Sequence, residues 1–587
     1  MAPRGTRGRP AGSPADAGVR IASRAVCIVK NLSICCATQG RVGAMSTDWD
    51  AIVIGSGLGG LTAAAYLAAL GRKTLVLEQH YVAGGNAHVF RRMKKFEFDV
   101  GVHYVGDCNP GGTLPAILKG LGVDDRVEWL PLDPDGFDTL FFPGIEFKVP
   151  ASWDLYRQRL VETFPDDETG IHRFLDILRA VVRESGAVRL PVEPADLPRL
   201  VEEAPNFLKW ALRPLSDLFD ECGLGTKVRA VLAAECGDYA MPPSKTPVVL
   251  HGAVIGGYMK GAYYPKGGGQ VIPAALVAAL RANGGDLRTR TRVERIMVEN
   301  GKVTGVLLEG GEELRAPLVV SNADLKRTML DMVGPEHLSP ATCEKIAAYR
   351  MALPIFVVYL GLDMDLRERM PNTNYWYYSS FDLEKLYAEA SSGQLPEDTF
   401  LFISVGSVKD PGTEAIAPRG CTSLEIMSLV PSDYRLWSVD EGPAHGERYH
   451  RNRDYRDIKG GLTERLIDEA EKIIPGLREH IVWKEAATPV THERYTLSTG
   501  GTSYGIELAT DQFGPNRPSP KTEIEGLYLA GASTVFGHGI SGVMRGGILT
   551  ASAIVGRDLL AEAASGTIFG DPAKLGPPPA DPWEASR

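Results

Sequence analysis

No two cysteines in this chain are spaced as C-x-x-C. The eight that occur are scattered (Cys27, Cys35, Cys36, Cys108, Cys222, Cys236, Cys343, Cys421). That scatter excludes the redox-active dithiol flavoproteins and gives neither a zinc-ligand spacing nor a disulfide framework. The thiols read as free, mostly buried groups of a reducing compartment. No apolar run reaches ~18 residues, so no membrane-spanning helix is expected. Basic charge is not in excess: the formal net charge is −10 and no basic stripe is visible, which excludes nucleic acid as a partner. No internal repeat occurs. With 44% hydrophobic and 23% charged residues the composition is that of a globular protein, and 587 residues leave room for two or three domains.

What is present is concentrated in "WDAIVIGSGLGGLTAAAYLAALGRKTLVLEQHYVAGGNAHVF", Trp49 to Phe90. Ala51 to Ile54 is a short apolar run suited to a strand buried on both faces. Gly55-Ser56-Gly57-Leu58-Gly59-Gly60 follows, with G-x-G-x-x-G spacing, and then an Ala/Leu-rich helix that stops at Gly71. Lys73 to Leu77 returns to strand and ends in Glu78, closing a βαβ unit. Gly55 permits the tight turn, Gly57 lets the backbone approach a pyrophosphate, and Gly60 lets helix and strand pack closely. The helix N-terminus offers unpaired N–H groups to phosphate. Glu78, roughly 20 residues beyond the motif, is placed to accept from a ribose 2′-OH, and it disfavours the 2′-phosphate of NADP at this site. Gln79 and the loop to Gly84-Gly85-Asn86 follow; the paired glycines let the chain pass close to a long extended ligand. A second G-x-G-x-x-G match, Gly537 to Gly542 with Asp558 beyond it, has no following strand and reads as a glycine turn before a helix.

Three blocks carry a family resemblance. "VLEQHYVAGGNAHVFRRMKKFEFDVGVHYVGD", "YYPKGGGQVIPAALVAALRANGGDLRTRTRVERI" and "GLYLAGASTVFGHGISGVMRGGILTASAI" resemble, in order, segments of the phytoene desaturase, carotenoid isomerase and retinol saturase group of FAD-dependent oxidoreductases. The resemblance implies an α/β fold: a discontinuous Rossmann-type FAD-binding domain with a mixed α+β substrate domain. It also implies cofactor contacts. Gly55, Ser56, Gly57, Gly59 and Gly60 would meet the pyrophosphate, Glu78 and Gln79 the adenosine ribose, and Gly84, Gly85 and Asn86 the ribityl and pyrophosphate region. Val293 would contact adenine through its backbone, and Gly531, Ala532, Gly542 and Val543 would close on the ribityl chain and flavin. Many relatives carry an acidic residue where this chain has Ala532, which reads as the loss of one hydrogen bond.

The expected domain division is 47–130, 251–330 and 490–562 for the FAD domain, and 131–250 and 331–489 for the substrate domain. Residues 563–587, rich in proline, are expected to be a disordered tail. Residues 1–44 hold seven basic residues against one acid, Asp16, as a mitochondrial transit peptide would. The favoured alternative is translation from Met45, which makes 1–46 a non-native extension of a cytoplasmic protein. "PNFLKWALRPLSDLF", Pro205 to Phe219, fits either a bilayer-facing amphipathic surface or a core-facing helix with solvated charges. "LPIFVVYLGLDM" and "NYWYYSS" read as strands of a second sheet, their aromatics either lining a substrate tunnel or simply packing.

The expected chemistry is addition or removal of hydrogen at, or isomerisation of, carbon–carbon double bonds of a hydrophobic polyene or isoprenoid. A reductant, if required, would be NAD(P)H using the same face transiently, or another protein. His103, Tyr104 and His538 are the candidates for the proton role, the histidines because imidazole titrates near neutrality; His80 and His88 read as structural. Two other functions are weighed: a flavin amine oxidase, and a non-catalytic lipid-binding protein like the GDP-dissociation inhibitors. The intact glycine set and Glu78 argue against the second.

Overall fold

A computed structural model of the protein describes residues 48–188 and 194–587; the basic leader and the choice of start site lie outside them. The apolar run Ala51–Ile54 becomes the central strand of a parallel sheet, every side chain buried. The strand order is Leu527–Leu529, Val319–Ser321, Ala51–Ile54, Thr74–Leu77, Asp286–Arg288. Ile52 lies opposite Val319 on one side and Leu75 on the other. Both faces are covered, which is why these strands read as continuous apolar runs rather than alternating ones. The helix Leu58–Ala69 buries nearly all of its residues, packed against helices Val271–Ala282 and Ile540–Val555. Small residues make that packing possible: a Cβ at Gly547 would collide with the Gly59 carbonyl.

An antiparallel excursion, Val293–Glu299, Lys302–Leu308 and Glu313–Arg315, lies between the third and fourth strands of this sheet along the chain. Its second turn is Gly310-Gly311, both at positive φ. A seven-stranded mixed sheet carries the other half of the molecule, ordered Ile481–Ala487, Ile355–Leu362, Thr422–Leu429, Phe400–Ser404, Asn374–Tyr378, Asp138–Phe142, Ile145–Val149. The pairing is antiparallel except between Asn374–Tyr378 and Asp138–Phe142. One face of this sheet meets helices Trp153–Thr163, Glu168–Ser185 and Val248–Tyr258 in an aromatic-rich core that includes Trp376, Phe402, Tyr104 and Tyr258. The strand aromatics therefore pack.

One expectation is corrected. Residues 563–587 are docked along the parallel-sheet half rather than disordered. Phe569 N donates to Gly120 O (2.7 Å), Trp583 Nε1 to Val89 O (3.1 Å), and Arg91 clasps Asp581 through two bonds of 2.6 and 2.8 Å. Composition misleads here because the anchors between the prolines have partners hundreds of residues upstream. In the Pro205–Phe219 stretch, Trp210 is not an interfacial aromatic but is buried at 1% exposure, and Pro214 separates helices Pro205–Trp210 and Leu215–Glu221. Cys108, Cys222, Cys236 and Cys421 are buried free thiols. Among the described residues no helix is long and apolar enough to cross a membrane, and no group of three or more His, Cys, Asp and Glu is arranged to hold a metal ion.

Candidate functional site

Where the first strand meets its helix, four glycines press on one side chain. A Cβ at Gly57 would lie 2.6 Å from Asn322 Nδ2, one at Gly59 2.8 Å from Asn322 Oδ1, and one at Gly531 2.6 Å from Asn322 Oδ1. At Gly60 a Cβ would strike the Gly55 carbonyl and approach Asn322 Cβ to 2.9 Å. The second loop joins them: Gly57 and Gly84 form a bridge, Gly84 N donates to Ser56 O (3.0 Å), and a Cβ at Gly85 would lie 2.8 Å from Gly57 Cα. No side chain caps the helix that starts at Leu58, so its first-turn amides are free for an anion. Asn322 Oδ1 is buried without a partner in the middle of this cradle. Bare backbone and uncapped helix amides fit a dinucleotide pyrophosphate.

Glu78 stands beside the cradle. Its Oε2 accepts from Ser56 N (2.9 Å) and Ser56 Oγ (2.6 Å), and Oε1 from His80 N (2.8 Å). A carboxylate has about four acceptor sites, so one remains for a ribose hydroxyl. Gln79 points elsewhere, donating to Tyr495 O (3.1 Å), and Asn86 donates to Ser503 O (3.2 Å). Glu78 O accepts from Thr291 N (2.8 Å), which brings Val293 alongside; Val293 packs with Ile54 and Leu77. Gly542 and Val543 lie in the first turn of the helix Ile540–Val555, and Gly537 and Gly539 have positive φ ahead of it. Asp558 caps the next helix by accepting from Ala561 N (3.0 Å), so the second glycine match is a turn before a helix. His88 is structural, its Nδ1–H donating to Gly85 O (2.6 Å).

The "YYPKGGGQ" block buttresses the cradle from behind. Gln270 donates to Ala83 O (2.9 Å) and accepts from Val89 N (3.0 Å). Asp99 accepts from Gly269 N (2.9 Å) and from the Tyr264 hydroxyl, and Asp410 accepts from Gly267 N (2.7 Å). Arg517, which the sequence reading missed, is 3% exposed. It donates to Ala532 O (2.8 Å), Thr534 O (2.8 Å) and Glu507 O (3.1 Å), fixing the loop that carries Gly531 and Ala532 by its backbone.

His103, Asp238, Tyr504 and His538 lie deep in the protein yet keep accessible surface. The Tyr504 and His538 rings lie 4.5 Å apart, and Tyr504 donates to Gly237 O (3.2 Å). Tyr104 stacks on Tyr258 at 4.4 Å, and Phe402 lies 5.7 Å from His103. The histidines do not titrate near neutrality. Burial, and then the positive charge of Lys409 or Arg517, push His103 and His538 each down to about 3. Both are neutral imidazoles, with His103 Nδ1 and His538 Nε2 unpartnered. Tyr104 holds its proton well above the usual phenol range because burial and the nearby Asp138 and Asp238 disfavour the phenolate. Its O–H donates to Asp238 (2.8 Å) and lies 3.4 Å from Asp138. Asp238, Glu235 and Asn322 were not singled out from the sequence. Acids inside the apolar run "VRAVLAAECGDYAM" were the available signal for the first two.

The chain matches the family of flavin containing amine oxidoreductases over residues 58–406, more than half its length. It is 29% identical over 544 residues to all-trans-retinol 13,14-reductase from Homo sapiens, covering 87% of this chain and 86% of that one. It is 28% identical over 524 residues to the chloroplastic prolycopene isomerase of Daucus carota, with 86% and 80% covered. A solved oxidoreductase from Methanosarcina mazei has the same fold, with TM-score 0.58 at 18% identity, over 86% of this chain and 100% of that one. With the glycine cradle, the carboxylate beside it and the match across both halves in hand, the chain belongs to the flavin-containing amine oxidoreductase family and is an FAD-dependent oxidoreductase.

Proposed function

We propose that this protein adds hydrogen to, removes it from, or isomerises carbon–carbon double bonds of a hydrophobic polyene or isoprenoid-type substrate. The observation that carries this reading is that His103, Asp238, Tyr504 and His538 lie deep in the protein yet keep accessible surface, from which we infer an internal cavity. Its wall combines aromatic rings with neutral imidazoles and one carboxyl group, as suits a long apolar ligand with few polar contacts. Support comes from the relatives named for retinol and prolycopene, whose similarity extends through the substrate half.

In this reading Gly57, Gly59 and Gly60 bring bare backbone to the FAD pyrophosphate, Asn322 backs them, and Glu78 takes a ribose hydroxyl on its remaining acceptor site. Gly531 and Ala532, held by Arg517, and the first turn at Gly542 and Val543 close the flavin end. Bound FAD supplies hydride transfer in either direction, with an external two-electron donor or acceptor; NAD(P)H is the donor class to try first. The protein's tasks are to align a double bond, exclude water and handle one proton.

Substrate entry is proposed from a lipid surface. Leu197, Val201, Leu208 and Leu212 are 41–61% exposed within sixteen residues, and Lys209 and Arg213 stand beside them, as interfacial helices combine apolar and cationic groups. Vesicles containing anionic lipid should co-sediment the wild-type protein and lose the Leu208→Glu/Leu212→Glu variant. Equal sedimentation of both would remove this face from the reading.

The function is tested by product analysis of the FAD-loaded protein, anaerobically against polyene alcohols and polyene hydrocarbons and in air against primary amines. A polyene product saturated, desaturated or isomerised at a C=C bond is expected. Peroxide and an aldehyde from amines, with every polyene unchanged, would instead make the protein an amine oxidase.

A further inference from the structure

The wall of the cavity contains a carboxyl group whose two oxygens have different surroundings. Asp238 Oδ2 accepts from both Tyr104 (2.8 Å) and Tyr258 (3.2 Å). Asp238 Oδ1 has no partner among the described residues and is not shut off from the cavity. A carboxyl that receives two phenolic O–H bonds on one oxygen has room for its own proton only on the other. In Asp238 that other oxygen is the one that keeps accessible surface.

The groups around it favour a proton there. Asp138, from the neighbouring strand, lies within 3.4 Å of the same Tyr104 hydroxyl and is held by Asn374 Nδ2 (2.8 Å). Glu235, on the same turn, is fully buried with both oxygens unpartnered. Carboxyl groups gathered this closely cannot all ionise. Lys409, the cation acting on Asp138, is turned away: its Nζ donates to His103 O (2.6 Å) and Ser404 Oγ (2.8 Å). Cys236 and Tyr239 on this turn bond to each other, and the nearby tyrosines keep their protons because burial raises them. His103 is neutral. Burial carries both Asp238 and Asp138 up to about 7, the range in which an acid both gives and recovers a proton at working pH.

We propose that Asp238 is the proton-exchanging group of the reaction, with Tyr104 and Tyr258 as positioning residues that hold its proton on the accessible oxygen. The inference rests on the polyene reading given above. In the saturating direction a hydride adds to one carbon of a conjugated double bond. The Asp238 Oδ1–H bond breaks, and its proton joins the π electron pair to form a C–H bond at the neighbouring carbon. Asp238 is left as a carboxylate with both phenols donating to Oδ2, and solvent reprotonates it. Desaturation runs the same transfer backwards. Isomerisation needs the proton put on and then taken off.

The test uses the full chain loaded with FAD. Asp238→Asn keeps an acceptor oxygen for both tyrosines, so the visible flavin spectrum should be unchanged while polyene turnover falls ~10²–10⁴-fold. The limb of the pH–rate profile near neutrality should vanish with it, and infrared difference spectra should lose the Asp238 carboxylic-acid C=O stretch while keeping that of Asp138. Asp238→Glu should restore part of the rate. Tyr104→Phe removes a bond that favours the carboxylate, so it should move the limb to higher pH. Turnover of Asp238→Asn within about twofold of wild type, with the limb in place, would overturn the proposal. If Asp238→Asn loses its flavin, Tyr104→Phe and Tyr258→Phe decide: an unmoved limb in both overturns it. Wild-type protein that oxidises amines and leaves every polyene intact would defeat the polyene reading instead, a result recognisable without any variant.

Discussion

The two halves of this molecule solve opposite problems. Around the parallel sheet the ligand is met by backbone: Gly57, Gly59, Gly60 and Gly531 crowd around Asn322, and Gly85 lies against Gly57. Around the seven-stranded sheet the ligand space is walled by large side chains, and the polar atoms there lack partners. Glu235 Oε1 and Oε2 and His103 Nδ1 are buried and unsatisfied. Buried polar groups are normally paired, so a cluster of exceptions marks a place where stability has yielded to chemistry.

The largest effect is expected in the cradle. Gly60→Val drives a side chain into the Gly55 carbonyl and Asn322, so the purified protein should be colourless and about 1–3 kcal/mol less stable. Absorbance and thermal unfolding read both. A yellow, stable variant would mean that the cradle is roomier than this packing.

Next comes Arg517→Ala. It removes a buried guanidinium from four backbone carbonyls, and bonds from a charged donor are individually strong. A loss of about 3 kcal/mol is expected, together with weaker FAD retention, whereas Arg517→Lys should fail to rescue because an ammonium cannot span the same carbonyls.

A smaller effect separates the halves by pH. Asp138 rises from 3.8 to about 7 on folding, because burial and then Asp238 oppose its ionisation. The folded state therefore keeps a proton that the unfolded chain releases. That contribution is complete below 3.8, is lost as pH climbs to about 7, and stays lost above it. Asp138→Asn has no such dependence, so its Tm relative to wild type should rise across this window; a constant difference would place the proton elsewhere.

The smallest effect is expected at the tail. The Arg91–Asp581 pair is about one-third exposed on each side, so Asp581→Asn should cost at most ~1 kcal/mol while leaving Arg91 on buried Glu97. Because Ala83 N donates to Ser586 O (2.7 Å) in the same segment, FAD should dissociate modestly faster from the Asp581→Asn variant. An unchanged dissociation rate would show that the tail only covers the loop.

The contrast also explains what could be read in advance. Gly55 to Glu78 is readable because every requirement there is local: a tight turn, a helix start and a carboxylate at a fixed distance along the chain. Gln270 and Asp99 belong to blocks that resemble known relatives, but their task, bonding Ala83, Val89 and Gly269, emerges only when segments more than a hundred residues apart meet. His103 and His538 were found by residue type, and the burial that neutralises them has no signature in their own neighbourhood. Asp238 shows no spacing at all. Its role depends on Tyr104 and Tyr258 arriving from two other segments. The tail failed for the same reason in reverse, since Trp583 and Asp581 look unsupported until Val89 and Arg91 are beside them.

The visible absorption spectrum of the purified protein, before and after denaturation, tests the central claim most directly. The account predicts a bound flavin spectrum, release of FAD on unfolding, and no colour in Gly60→Val. A folded wild-type protein that is colourless and takes up no added FAD would contradict it.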